Sequence, residues 1–142
     1  MTLAYLDTSA LAKLYVNEPG QAQVLELIGA AGKVVSSVIA YPEARAVFAR
    51  RRSSGELSGE QHDQIVADFE ADWREVNEVD VTPAVYRRAG TLVVAHPRLR
   101  AMDALHLASA LEARAHDDIR FLTFDADLAA VAGALLSKQE MA

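Results

Sequence analysis

The sequence predicts an α/β fold in which a central parallel sheet is covered by helices on both faces. Short strand-like runs at residues 3–6, 33–37 and 119–123 alternate with longer helical stretches, the pattern of strands joined through crossover helices. A chain of 142 residues, 51% hydrophobic, holds one core and not comfortably two.

Residues 3–6 end in Asp7-Thr8-Ser9, and the following Ala10-Leu11-Ala12-Lys13-Leu14-Tyr15 has helical composition, so a strand leads into a helix. After the Pro19-Gly20 break, residues 21–30 form an amphipathic helix and residues 33–37 a buried strand. Pro42-Glu43 suits the first turn of the next helix, and Arg50, Arg51 and Arg52 suit its last, where cations complement the helix dipole. Ser53-Ser54-Gly55 breaks it. Ser58 followed three positions later by Gln61 is a capping box, and Ile65, Phe69 and Trp73 mark one buried stripe behind it.

Residues 79–81 read as a short strand and Thr82-Pro83 as a helix start, with Val85, Ala89 and Leu92 on the inner face and His96-Pro97 as the stop. Residues 101–115, rich in Ala and Leu, form a central buried helix. Residues 119–123 are the last strand, 125–127 a turn, 128–136 a terminal apolar helix, and 137–142 a frayed, flexible tail. No repeat, low-complexity tract or linker divides the chain, so a single domain spans residues 1–142.

Composition narrows the chemistry. The N-terminus has no basic leader, and the longest uncharged apolar run, residues 128–136, is too short for a bilayer, so the expectation is a cytoplasmic protein with no membrane contact. Without cysteine there is no disulfide and no thiolate metal site, and any metal is held by oxygen or imidazole. The net charge of −6 is unusual for a nucleic-acid enzyme, but it is unevenly spread: Arg45, Arg50, Arg51 and Arg52 fall within eight residues, and Arg87, Arg88, Arg98 and Arg100 form a second group.

Four acids stand where such a fold places its ligands. In open parallel sheets the binding crevice lies beyond the carboxyl ends of the strands. Asp7 and Asp125 fall at strand ends, and Glu43 and Asp103 near helix starts that can reach the same edge. Taken singly, each has an ordinary explanation: Asp7 and Asp125 as N-caps, Glu43 and Asp103 as first-turn acids. Jointly they mark a site, and the apolar setting of Asp103 in Ala101-Met102-Asp103-Ala104-Leu105 suits capping badly. Converging carboxylates repel one another, and a hard cation such as Mg²⁺ or Mn²⁺ neutralises them best. Such a site polarises a phosphodiester and lowers the pKa of bound water, with one or two ions left open.

Leu6-Asp7-Thr8-Ser9-Ala10-Leu11, Glu43 after a buried strand, Met102-Asp103-Ala104-Leu105-His106-Leu107-Ala108, and Leu122-Thr123-Phe124-Asp125 together resemble the PIN-domain ribonucleases, most nearly VapC-type toxins. The resemblance runs from residue 3 to about residue 132. It implies a three-layer α/β/α sandwich in which Asp7, Glu43, Asp103 and Asp125 bind metal and Ser9 and Thr123 are supporting hydroxyls. It also implies an RNA substrate, a cognate antitoxin whose C-terminal segment occupies the active-site groove, and a homodimer. Asp127 is left open as a ligand, a water-holding group or a helix cap.

His106 lies one turn beyond Asp103 and reads as a packed core histidine rather than a ligand or general base. Arg50, seven positions after Glu43, is either a phosphate contact or a solvated helix end. Lys13 is a further candidate phosphate contact; Arg45 is a weaker one, and Arg51 and Arg52 read as solvent or partner contacts. The aromatics are scattered at core-like positions with no run suited to base stacking. The competing functions are a DNA-directed nuclease, since no residue identifies a 2′-hydroxyl contact, and a catalytically silent interaction module, against which the full set of acids counts. A phosphatase ranks below both, because Asp7-Thr8-Ser9 lacks the paired aspartates of a common nucleophile loop.

Overall fold

The computed structural model describes residues 2–115 and 117–140, with the side chains of 137–140 excepted. The elements run β1 (Thr2–Leu6), α1 (Thr8–Ala12), α2 (Gln21–Ala30), β2 (Lys33–Ser37), α3 (Ala40–Ser53), α4 (Gly59–Trp73), β3 (Asn77–Val79), α5 (Pro83–Ala95), α6 (Ala101–Ala113), β4 (Asp118–Leu122) and α7 (Ala126–Glu140). The strands form one parallel sheet in the order β3-β2-β1-β4. Successive side chains of a strand point to opposite faces. Leu3 and Tyr5 therefore enter a core built with α5, α6 and α7, around Val85, Leu92, Leu107 and Leu128. Leu6 enters a second core built with α1 to α4, around Leu11, Val24, Phe48 and Phe69. Two cores on opposite faces of one sheet make the three-layer α/β/α sandwich.

Local sequence accounts for most element ends. Thr82 caps α5 through Val85 N–H, with Pro83 at the first helical position where its missing N–H costs nothing. Ser58 Oγ accepts from Gln61 N–H at 3.1 Å, and the Gln61 side chain accepts from Ser58 N–H at 2.8 Å, completing the capping box of α4. Ser58→Ala is expected to cost about 1 kcal/mol in chemical denaturation, and a change below a few tenths would show that packing alone sets the start of α4.

Three boundaries differ from expectation. The third strand is Asn77–Val79, two residues earlier than the valine pattern suggested. Its ladder pairs Val35 with Asn77 and Ser37 with Val79, and beyond Ser37 the neighbouring chain turns toward α3, so Asp80 and Val81 have no strand to join. The first helix is a five-residue turn starting at Thr8, capped by Asp7. The last helix continues through Glu140, because Ser137-Lys138-Gln139-Glu140 holds no glycine or proline to stop it. Of the expected tail, the side chains of 137–140 and all of Met141 and Ala142 lie outside the described residues. Among the described residues no helix is long and apolar enough to cross a membrane.

Candidate active site

The strand order creates the site. β1 pairs with β2 on one side and β4 on the other, so the connections leaving β1 and β4 diverge at the carboxyl edge, a topological switch point of the kind where α/β ligands bind. Asp7 follows β1 directly, and its N–H reaches Leu122 O at the end of β4. Its carboxylate is almost fully buried and held on both oxygens. Oδ1 accepts from Ser9 Oγ at 2.7 Å and Ala10 N–H at 3.0 Å, while Oδ2 accepts from Thr123 Oγ1 at 2.5 Å. Those hydroxyls in turn accept from the backbone: Ser9 Oγ from Phe124 N–H and Thr123 Oγ1 from Asp125 N–H, both at 3.0 Å. Asp7 thus caps α1 and anchors the β4–α7 loop at once.

Asp125 caps α7, its Oδ1 accepting from Leu128 N–H at 2.8 Å. Asp103, in the first turn of α6, accepts from Arg100 N–H at 3.2 Å. Burial lifts the Asp103 carboxyl above its ordinary pKa; the Arg100 bond opposes this, and the charges of Asp125 and Asp7 add to the rise. The electrostatic signature of crowding is therefore on Asp103, and Asp7 and Asp125 are its sources.

Glu43 joins the group by a different route. It lies in the first turn of α3, on the helix whose Ala40, Ala44 and Phe48 are buried. Its Oε1 accepts from Thr8 Oγ1 at 2.6 Å and contacts His106 Nε2 at 3.0 Å. Burial raises its pKa, but the hydrogen bonds from His106 and Thr8 outweigh that, and the carboxyl sits below its ordinary value. Glu43 is therefore linked to α1 through Thr8 and to α6 through His106.

The donor set fits a hard divalent cation in chemistry: carboxylate and hydroxyl oxygens, with Asp7 and Asp125 near enough for their charges to act on Asp103. Among the described residues no three His, Asp or Glu side chains stand close enough together to hold an ion as placed. Each acid is turned to a protein donor; Asp125 is exposed, Glu43 and Asp103 are half-buried and Asp7 is buried.

The remaining candidates separate. Asp127 is not the cap of α7, a position Asp125 fills; it faces Arg98 at 3.5 Å in an exposed pair worth little. Lys13 Nζ is engaged by Glu18 at 3.1 Å and lies 4.5 Å from the centroid of the Phe124 ring. Arg50 is exposed in the last turn of α3, whereas Arg45 pairs with Glu70, and Arg51, expected to face solvent or a partner, pairs with Glu18 and Glu56.

Two residues do more than local sequence indicates. His106 is the buried core histidine expected, and it also contacts Glu43. Phe124 is partly exposed beside Asp125, and its ring lies so near Gly20 that a Cβ there would come within 2.7 Å of it. Gly20, at φ +102°, is thus required twice, by its backbone and by that ring. The contact between distant residues was visible to no local pattern.

Comparison with known proteins agrees with this geometry. The PIN domain family matches residues 4–134. Two curated Mycobacterium tuberculosis proteins, ribonuclease VapC45 of strain CDC 1551 / Oshkosh and ribonuclease VapC49 of strain ATCC 25618 / H37Rv, are each 38% identical over 111 residues, 78% of this chain and 76% of theirs. Among solved structures, a toxin-antitoxin complex from Klebsiella pneumoniae superposes with a TM-score of 0.64 at 21% identity, covering 92% of this chain and 93% of that one. Mycobacterium tuberculosis VapC20, a sarcin-ricin loop cleaving toxin, gives 0.66 at 20% identity, covering 90% of this chain and 94% of that one. At those identities the structures speak for the fold, and the family match and the closer relatives carry the rest: the chain belongs to the PIN-domain family, as a VapC-type ribonuclease.

Proposed function

We propose that this chain is a Mg²⁺- or Mn²⁺-dependent endoribonuclease that hydrolyses phosphodiester bonds of a structured RNA and acts as the toxin of a type II toxin-antitoxin pair in the cytoplasm. The observation that supports the metal dependence is the gathering of acids at one sheet edge, with Asp7 directly after β1, Asp125 in the loop after β4 and Asp103 in the first turn of α6, near enough for the charges of Asp7 and Asp125 to act on Asp103. Asp7, Asp103 and Asp125 would hold the cation. When bound, the ion supplies Lewis-acid polarisation of the phosphate and acidifies water at the site. The protein's own contribution is positioning. Ser9 and Thr123 fix Asp7, and Thr123 also fixes the loop that carries Asp125. Glu43, kept ionised by Thr8 and His106, orients attacking water by accepting its hydrogen. Arg50, exposed in the last turn of α3, would grip a neighbouring phosphate. An antitoxin partner and a homodimer are part of this reading, the first supported by the toxin-antitoxin complex among the structures of the same fold.

Antitoxin-free protein incubated with total cellular RNA is expected to yield discrete fragments with Mg²⁺ or Mn²⁺ and none with EDTA, leaving single-stranded DNA intact. Cleavage of DNA but not RNA would move the assignment to a DNA-directed nuclease. No cleavage of either, with no shift in melting temperature on adding metal, would leave a silent interaction module.

A further inference from the structure

We propose that His106 is a positioning residue for Glu43: its Nε2–H, set by the buried Tyr5 hydroxyl on the opposite ring nitrogen, clamps one carboxylate oxygen and leaves the other for water or metal. The activity half of this proposal rests on the nuclease reading above; the hydrogen-bond half does not.

The imidazole is almost fully buried in α6, yet each of its nitrogens has a side-chain partner on another element. Nδ1 is 2.8 Å from the Tyr5 hydroxyl on β1, and Nε2 is 3.0 Å from Glu43 Oε1 and 3.1 Å from Thr8 Oγ1. A carboxylate only accepts, and Thr8 already gives its hydrogen to the same Oε1 at 2.6 Å. Nε2 must therefore be the donor to both. In a neutral ring that leaves Nδ1 as acceptor, and Tyr5 supplies the hydrogen it needs.

The tyrosine is itself immobile. It is fully buried, stacked on Phe121 at 5.1 Å between centroids and set edge-on to His106 at 5.8 Å. Rigidity passes from the sheet through Tyr5 and His106 to a half-buried acid at the edge of the site. A core histidine needing only satisfaction has no reason to spend its donor on that acid. Among the described residues Oε1 takes both protein bonds, and no protein donor holds Oε2.

Two measurements decide the proposal. In metal-free protein, ring ¹⁵N spectra are expected to show His106 with hydrogen on Nε2, and Glu43→Gln to shift that resonance. A ring whose Nε2 bears no hydrogen, or one indifferent to Glu43→Gln, overturns the proposal whether or not the protein cleaves RNA. In the cleavage assay, His106→Leu is expected to lower kcat about 10- to 100-fold with KM little changed. His106→Gln, which retains an N–H donor, should recover most of it. In a Glu43→Gln background His106→Leu should add no further loss, because the effect passes through Glu43. An additive loss, or unchanged kcat, overturns the proposal. Should His106→Leu fail to fold, Tyr5→Phe keeps the ring packing and removes only the hydroxyl, and it is expected to reduce kcat in the same direction; unchanged kcat there overturns the proposal. A wild-type protein that cleaves nothing refutes the nuclease reading, and the spectra still decide the hydrogen bond.

Discussion

Asp103→Asn is expected to lower metal-dependent RNA cleavage by at least about a hundredfold while leaving the metal-free protein as stable as wild type or more so. The first half follows from taking away a full negative charge where the proposed cation would bind. The second follows from the direction of the pKa. A carboxyl raised in the folded state weakens folding wherever it is ionised. As pH rises from the unfolded pKa through the higher folded value, stability falls, and above both the penalty is complete. Asparagine removes the charge at every pH and still accepts from Arg100 N–H, so the start of α6 is kept. The variant's advantage should thus be fullest near neutrality and vanish below the ordinary carboxyl range, about pH 4. Thermal denaturation in EDTA across that range measures it, and the rise in melting temperature with Mg²⁺ or Mn²⁺ seen for wild type should be lost. Wild-type cleavage by Asp103→Asn would remove Asp103 from the site, and a variant less stable at neutral pH would show that its charge is compensated.

The legible parts of this protein are those written in local pattern. The capping box at Ser58, the Thr82-Pro83 helix start and the stripes Ile65-Phe69-Trp73 and Val85-Ala89-Leu92 each state an element and its buried face within a few residues, and the structure places them accordingly. The strand Asn77–Val79 was misplaced because an edge strand exposes most of its side chains, and its limits are set by where β2 ends rather than by its own residues.

The acids were legible as positions and not as partners. Asp7 and Asp125 are true helix caps, so the ordinary explanation of each is correct and is no argument against a second role. His106 shows the opposite limit. Its spacing from Asp103 said only that the two share a helix face, whereas its contacts lie 63 and 101 positions away on α3 and β1. Arg51 likewise found Glu18 across the fold. Pairings at such separations are decided by the stacking of layers, which periodicity does not encode.

Phe69→Ala is expected to have the inverse profile of Asp103→Asn: a large loss of stability with the chemistry intact. Phe69 is completely buried, and its ring lies 5.4 Å from Tyr15, 5.5 Å from Tyr41 and Phe48, and 5.6 Å from Trp73, centroid to centroid. These rings come from α3, α4 and the segment after α1, and two of them are tied down by hydroxyl bonds, Tyr15 to Asp72 and Tyr41 to Glu70. Neighbours so fixed cannot collapse into the space a phenyl leaves, so the cavity cost adds to the lost burial and places the change at the upper part of the usual range, about 3–5 kcal/mol. Against a total of about 5–15 kcal/mol for a domain, that lowers the melting temperature by about 10–20 °C. The carboxylates should not feel it below that temperature. Glu43 is held by Thr8 and His106, and Asp7 by Ser9 and Thr123, all bonds on the sheet side of the helices and none through Phe69. Cleavage measured well below the new transition should therefore stay within a few-fold of wild type. A loss as severe as that of Asp103→Asn in a folded sample would mean that the aromatic cluster sets the position of α3, and with it Glu43, more tightly than the hydrogen bonds do.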